Sequence, residues 1–290
     1  MSECKALAPA KINLGLEVFP KRADGYHNIK SIFTTVNLFD EITVCENSTE
    51  GSCVVECSGM TLPEENTFTK AYKAFCVLTG IKCGVTVKVI KHIPSGGGLG
   101  GGSSDASSFI QSIDILFGTH LAPDSLLKIA SEVGSDVFFF TQALISNPGK
   151  NEFAACVEGR GELIKEIPFR KDLYVLLLLP EVSVSTREAY RLVDQYLENG
   201  FYCNKGNKTQ NLEAVYGRRI RDWNFVNYFT APVCNSYPLI KDALKDLSLC
   251  GADFYDMSGS GSTLFGVFES EEKRKRAFEK LSEKWRIVFA

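Results

Sequence analysis

Six of the seven residues from Gly96 to Gly102 are glycine, with only Leu99 interrupting them, and Ser103-Ser104-Asp105 follow. Glycine packs nothing and loses the most backbone freedom on folding. Such a run is kept where the chain must pass through positive φ or let a ligand reach its backbone. Ala106, Phe109, Ile110, Ile113 and Leu116 then recur at helical spacing and predict a helix over 104–117. Free N–H groups and the helix dipole at such a start favour an anion, and a triphosphate suits it. The run lacks the Gly-Lys-Ser/Thr ending of a Walker A loop. It does contain Gly-x-Gly-x-x-Gly at Gly96, Gly98 and Gly101. A dinucleotide-binding fold, however, expects that motif straight after its first strand, within a regular βαβ series. A flexible linker is the remaining alternative, and the strand and helix on either side speak against it.

Further residues suggest partners for that anion. Asp136, in Gly134-Ser-Asp-Val137, precedes the aromatic run Phe138 to Phe140. A carboxylate beside an apolar run is a candidate general base, and a surface aspartate closing a turn fits the same residues. The hydroxyl-rich stretch Ser258-Gly-Ser-Gly-Ser-Thr263 reads equally as a phosphate-lining loop or as a hairpin connection. Lys11, between Ala10 and Ile12, is either a functional cation or the solvent face of a strand. Tyr26-His27 pairs a ring that stacks on a base with an imidazole that hydrogen-bonds its edge.

The elements that must position these residues follow from periodicity. Ile12, Leu14, Leu16 and Val18 alternate with Lys11, Asn13, Gly15 and Glu17, as in a half-buried strand, and a turn follows at Ala23-Asp24-Gly25. Strands are expected at 31–37, 42–45, 53–57, 84–90, 172–179 and 285–289. Helices are expected at 67–79, 123–133, 186–198, 236–248 and 270–283. The segment 199–211 reads as a loop. Antiparallel strands mixed with helices give an α+β class in two domains, 1–165 and 166–290.

Composition narrows the function. The 290 residues are 44% hydrophobic and 23% charged, which are globular values. A net charge of −3, from 32 basic and 35 acidic residues, demands no basic face, so a small-molecule substrate is expected rather than nucleic acid. No apolar stretch approaches the ~18 residues of a membrane span. The opening MSECKALAPAK has no signal-peptide core, so a cytoplasmic protein without membrane attachment is expected. Ten scattered cysteines without a CxxC pair read as reduced, buried thiols, and three histidines are too few for a multi-histidine metal site.

Pro94-x-Gly-x-Gly-Leu-Gly-Gly-Gly-Ser-Ser-Asp-Ala106 resembles the ATP loop of the GHMP kinases, the family of galactose, homoserine, mevalonate and phosphomevalonate kinases. The opening Ala8-Pro-Ala-Lys-Ile-Asn-Leu-Gly-Leu16 and Lys21-Arg-Ala-Asp-Gly-Tyr-His27 are similar to a narrower branch, whose substrate is 4-diphosphocytidyl-2-C-methyl-D-erythritol. The likeness continues through Gly134-Ser-Asp-Val137, Gly159-Arg-Gly-Glu162, Val184-Ser-Thr186 with Tyr190, Asn224 to Val233, and Met257 to Ser262. Two departures stand out: Phe138 where proline is frequent, and Ser258 where threonine is common.

The resemblance implies two α+β domains, the first like domain 2 of ribosomal protein S5 and the second ferredoxin-like. It implies ATP and Mg²⁺ as cofactors, a monomer or weak homodimer, and phosphorylation of the substrate's 2-hydroxyl in the non-mevalonate isoprenoid precursor pathway. Asp136 matches the catalytic aspartate and Lys11 the lysine beside it. Pro94, Ser95, Gly96, Gly97, Gly98, Leu99, Gly100, Gly101, Gly102, Ser103 and Ser104 match the ATP loop, and Asn66 an adenine contact. Tyr26 and Tyr190 match the rings that sandwich cytosine, His27 its hydrogen-bonding partner, and Asn13 a contact to the erythritol. No metal ligand is assigned, Ser103 and Ser104 being the candidates. Another GHMP kinase of homoserine or mevalonate type, a nicotinamide-dependent oxidoreductase and a non-catalytic nucleotide-binding module are the competing functions.

Overall fold

A computed structural model describes residues 2–201 and 211–290. The elements run β1 (Glu3–Lys21), β2 (His27–Asn47), β3 (Cys53–Cys57), α1 (Thr67–Thr79), β4 (Gly84–Ile90), α2 (Gly101–Phe117), α3 (Pro123–Val133), α4 (Ser135–Ser146), β5 (Ala154–Gly159), β6 (Leu163–Ile167), β7 (Tyr174–Leu179), α5 (Thr186–Glu198), α6 (Leu212–Tyr216), a short 3₁₀ turn (Ile220–Asp222), α7 (Thr230–Ser236), α8 (Pro238–Leu249), β8 (Phe254–Met257), β9 (Leu264–Phe268), α9 (Glu271–Ser282) and β10 (Arg286–Phe289). Most of the loop expected at 199–211 lies outside the described residues, as does Cys203.

The chain divides into two compact units. One comprises residues 1–10, 37–95 and 100–151, and the other residues 11–36, 96–99 and 152–290. Strands β1 and β2 contribute residues to both.

In the first unit, β4 pairs antiparallel with the end of β2, Ile42 opposite Val89 and Val44 opposite Val87, and parallel with β3. A parallel neighbour needs a crossover, which α1 supplies. Helix α1 has the expected bounds because both ends carry their own stop. Asn66 caps its start, accepting from the N–H of Phe68 and Thr69, and Gly80 ends it at φ 74°. The core sets Ile42, Val44, Val85, Val87 and Val89 of the sheet against Phe68, Phe75, Phe109, Ile110 and Ile113 of α1 and α2, each 2% exposed or less. Burying side chains of this size contributes about 1.5–3 kcal/mol each.

One polar cluster is also buried in this unit. The Lys91 ammonium, just after β4, bonds both Asp40 of β2 and Asp105 of α2, the latter at 2.7 Å. The other Asp40 oxygen accepts from the N–H of His92 and Ile93, at 2.6 and 2.8 Å. Burial pushes the Asp105 carboxyl up to about 7 against the pull of Lys91.

In the second unit, the start of β2 pairs with β5, and β5 with β6, all antiparallel. A separate sheet, ordered β10-β7-β9-β8, is antiparallel throughout. Its central strands are apolar on both faces, Leu176, Leu177, Leu178 and Leu264 to Val267 including no exposed residue, and α8 and α9 pack on it. Asp256, on β8, is buried and accepts from the Thr230 hydroxyl and from the N–H of Asn227 and Met257. Burial raises its carboxyl from the usual 3.8 to about 6.

Two expectations are corrected, and one helix lies where no element was expected. Strand β1 is not half-buried, because residues 8–16 are covered on both faces, Lys11 and Asn13 included. Helix α4 is absent from the periodic signal because apolar residues surround it, with Val137, Phe139, Phe140, Thr141 and Ala143 all buried. Of the nine described cysteines, all free, only Cys234 is buried, Cys83 is exposed and the other seven are partly covered.

Replacing Lys91 with Ala leaves two buried carboxylates facing each other. It should lower unfolding free energy by about 3–5 kcal/mol in urea titration. Asp256 gives a pH dependence. Its raised pKa means the folded chain holds a proton that the unfolded chain has released, so its contribution is full below about 4 and is lost as pH rises toward about 6. In urea titrations at a series of pH values, the stability difference between wild type and Asp256→Asn should shrink over that window and stay level above it.

Candidate functional site

The glycine loop takes its shape from alternate residues. Gly96, Gly98 and Gly100 have φ of 70°, 77° and 72°, in the region that favours glycine. At Gly98 the choice is forced twice, since a Cβ there would lie 2.0 Å from the Ser258 carbonyl oxygen. The carbonyls of Gly97, Gly98 and Leu99 are all taken: by the N–H of Thr263 at 3.3 Å, the Ser258 hydroxyl at 2.9 Å and the N–H of Lys11 at 3.0 Å. The loop then enters α2 three residues earlier than its apolar period indicates. No side chain caps that start, because the N-cap is Gly100. The Ser104 hydroxyl in the first turn is buried and has no hydrogen-bond partner among the described residues, nor has one oxygen of Asp105. An uncapped helix start behind such a loop suits a phosphate chain, and the idle Ser104 hydroxyl is a group that such a ligand would employ.

Asn66 lies in the same unit as α2. Its side chain is committed to capping α1 and to the Pro63 carbonyl, 2.9 Å from Nδ2. The neighbouring Thr67 hydroxyl reaches the Gly102 carbonyl at 3.2 Å, tying α1 to the start of α2. Ser95 donates weakly to Met60, and Pro94 is partly covered. Asp136 is half-buried in the first turn of α4, behind Gly134, and so is not the exposed turn residue of the bland alternative. Helix α4 is fastened to α2 by a 3.0 Å bond between the hydroxyls of Ser107 and Thr141.

The second unit holds a polar chain inside β1. The Lys11 ammonium donates to Asn13 Oδ1 at 2.6 Å and lies 4.6 Å from the Phe33 ring centre. Asn13 Nδ2 donates to Ser31 at 3.3 Å, and Ser31 donates to the Gly15 carbonyl. Lys11 is 3% exposed, so the solvent-face alternative is overturned. A desolvated ammonium interacts more strongly with negative charge than one in water.

A separate cluster surrounds His27. Its Nδ1 lies 2.8 Å from the Phe19 carbonyl and its Nε2 3.3 Å from Asp194 of α5. The Tyr190 ring stacks on it at 5.0 Å, and Phe229 meets Tyr190 edge-on at 4.9 Å. Tyr26 is 56% exposed, with the Arg160 guanidinium 4.3 Å from its ring centre. The structure thus brings His27 and Tyr190 together from distant parts of the sequence.

The stretch Ser258 to Thr263 is the connection between β8 and β9, and it also carries the support of Gly98. The sequence did not reveal what holds it. Asn227 is buried and donates from Nδ2 to the carbonyls of Met257 and Gly259, at 2.7 and 2.8 Å. Asp194, Asp256 and Arg160 were missed as well, for lack of any spacing pattern that joins them to the glycine run.

Comparison with known proteins agrees with this arrangement. The model of the GHMP kinase N-terminal domain matches residues 66–143 and that of the GHMP kinase C-terminal domain residues 217–287. A 4-diphosphocytidyl-2-C-methyl-D-erythritol kinase of Treponema pallidum is 38% identical, over 98% of this chain and 97% of the relative. One of Thermodesulfovibrio yellowstonii is 35% identical, over 99% and 97%. A crystal structure of 4-(cytidine 5'-diphospho)-2C-methyl-D-erythritol kinase has a TM-score of 0.80 at 28% identity, covering 99% of this chain and 98% of that one. The homoserine kinase of Cytophaga hutchinsonii shares the fold, with a TM-score of 0.67 at 17% identity over 99% and 93%. The chain belongs to the GHMP kinases, in the family of the 4-diphosphocytidyl-2-C-methyl-D-erythritol kinases.

Proposed function

We propose that this chain transfers the γ-phosphoryl group of ATP to the 2-hydroxyl of 4-diphosphocytidyl-2-C-methyl-D-erythritol, as a cytoplasmic enzyme of the non-mevalonate isoprenoid precursor pathway. The observation that carries the reading is the uncapped start of α2 behind a loop whose carbonyls are anchored, in a chain 38% identical to a kinase named for that substrate. The two family matches lie on either side of residue 165, in keeping with functional domains at 1–165 and 166–290.

In this mechanism the residues Pro94 to Ser104 bind the triphosphate through backbone N–H groups, with Asn66 toward the adenine. Phosphoryl transfer leaves the protein little covalent work, so positioning and charge stabilisation dominate. Asp136 accepts the proton of the attacking hydroxyl. Lys11 stabilises negative charge that develops on the transferred group. Asn13 holds the erythritol unit. Tyr26 and Tyr190 cover the two faces of cytosine, and His27 bonds its edge.

Among the described residues no three His, Cys, Asp or Glu side chains form a group able to hold a metal ion. The buried, unpartnered Ser104 hydroxyl fits a Mg²⁺ ion accompanying the phosphates, and with Ser103 beside it would be the protein's donor to that ion. Such an ion neutralises phosphate charge.

Two outcomes test the reading through ADP release with Mg·ATP and the cytidine substrate. Asp136→Asn should lower kcat by about 10²- to 10⁴-fold. Turnover retained in that variant would remove Asp136 as the base. Tyr26→Ala should raise KM by the loss of one stacking face, about 1–3 kcal/mol, with a smaller effect on kcat. An unchanged KM would point to a substrate without a base.

A further inference from the structure

Deepening that reading and resting on it, we propose that Lys91 is a positioning residue for the nucleotide: by tethering Asp105 it sets the orientation of the first turn of α2, and with it the direction of the N–H groups that meet the phosphates. The start of α2 has no side-chain cap, since its N-cap is Gly100. Ser103 and Ser104 both donate to the Gly100 carbonyl, at 3.0 and 2.9 Å. Gly101 and Gly102 then carry N–H groups of the kind that a helix start leaves free for an anion. Their direction has to be fixed from outside the helix.

Lys91 does this at two points of one helix face. Gly101 and Asp105 are four residues apart and hence neighbours on that face. Asp105 accepts from the Lys91 ammonium at 2.7 Å. A Cβ on Gly101 would lie 3.3 Å from the same nitrogen and 2.9 Å from Ile93 Cγ2. Gly96, Gly98 and Gly100 have a positive φ to explain them, and Gly101 has not. Close approach of the Lys91–Ile93 segment is what demands glycine there. A residue with a free N–H is thereby in direct contact with the residues that orient the turn.

The platform under Lys91 is itself pinned. Asp40 is fully buried, and besides accepting from the Lys91 ammonium it accepts from the N–H of His92 and Ile93. The Lys91 N–H donates to the Ser58 hydroxyl at 3.1 Å, which ties the same segment to the residue after β3. The turn so held keeps two buried oxygens without a partner among the described residues, the Ser104 hydroxyl and one oxygen of Asp105. Buried polar atoms without partners cost free energy. A turn free to roll would satisfy them, whereas a turn held for a ligand has its groups in place before the ligand arrives.

The test measures binding of a non-hydrolysable ATP analogue with Mg²⁺ by calorimetry, and KM for each substrate. It compares wild type, Asp105→Asn, Asp105→Ala and the double variant Lys91→Met with Asp105→Asn. The double variant removes one charge of each sign and leaves Asp40 its two backbone donors, so it avoids the facing carboxylates that Lys91→Ala creates; urea titration checks that it is folded. Asp105→Asn keeps an acceptor for the ammonium and should bind the analogue within about threefold of wild type. Asp105→Ala and the double variant lose the tether and should bind it about tenfold or more weakly, with KM for ATP raised and KM for the cytidine ester left near wild type. Wild-type affinity in the folded double variant would overturn the proposal. A loss in Asp105→Asn as large as in Asp105→Ala would also overturn it, by making the carboxylate's charge and not the tether the cause. Equal rises in both KM values would do the same, by reducing Lys91 to a support of the fold. If wild type binds the analogue and does not turn over the cytidine ester, the function proposed above fails, and the affinities still judge Lys91 because they require no turnover.

Discussion

The approach of the main chain at Gly98 to the Ser258 carbonyl is the constraint on which the phosphate loop depends. A single methyl group on Gly98 would sit 2.0 Å from that oxygen and displace one segment or the other. With that approach in place, three successive carbonyls of the loop receive hydrogen bonds. A trans peptide points its N–H away from its own C=O. Holding the carbonyls of Gly97, Gly98 and Leu99 therefore turns the N–H groups of Gly98, Leu99 and Gly100 away from the donors that hold them. The loop's capacity for an anion is thus set by its unglamorous side, where oxygens meet protein. The other half of the contact is maintained further inside. Asp256 fixes the N–H of Asn227, and Asn227 holds the carbonyls of Met257 and Gly259 around Ser258. A buried carboxylate and a buried amide thereby determine where Ser258 meets Gly98.

Much of the fold was legible where elements carry their own boundaries. Helices α1, α3 and α5 and strands β3 and β4 occupy the expected residues. Asn66 with Gly80, Pro123 with Gly134, and Ser185 mark the helix ends locally. Legibility failed where packing rather than pattern decides. Helix α4 holds Phe138-Phe139-Phe140, residues that favour strands in isolation, and is enclosed on most sides, so neither propensity nor periodicity announces it. The short strands β5, β6, β8 and β9 were missed for a related reason. Their pairing partners lie far away in sequence, and four to six residues are too few for a period.

The site divides in the same way. The glycine run declares itself, because only a backbone requirement explains so many glycines in succession. The Ser258 stretch left two readings open, and the structure makes it the β8–β9 connection that bears on the loop. Tyr190 has no neighbour in sequence that signals a base pocket, and resemblance alone singled it out. In the structure its ring stacks on His27. Asp194 had no signal of any kind, and Arg160 entered only as part of the Gly159-to-Glu162 stretch of the resemblance. Each is an ordinary surface-type residue by sequence, and gains meaning only from the ring it faces.

Lys11 shows how burial distinguishes a working residue from a decorative one. A lysine on a strand's solvent side costs nothing, whereas an ammonium at 3% exposure has surrendered most of its hydration. The chain offsets that loss locally with the Asn13 amide at 2.6 Å and the face of Phe33 at 4.6 Å. Asn13 is in turn held by Ser31, and Ser31 by the Gly15 carbonyl, so the amide oxygen cannot easily swing away. Burying an ammonium carries a desolvation cost that an apolar residue of similar volume would not. Keeping a fixed charge in a region of low dielectric makes physical sense where negative charge has to be met without reorganisation, as in the transfer of a phosphoryl group.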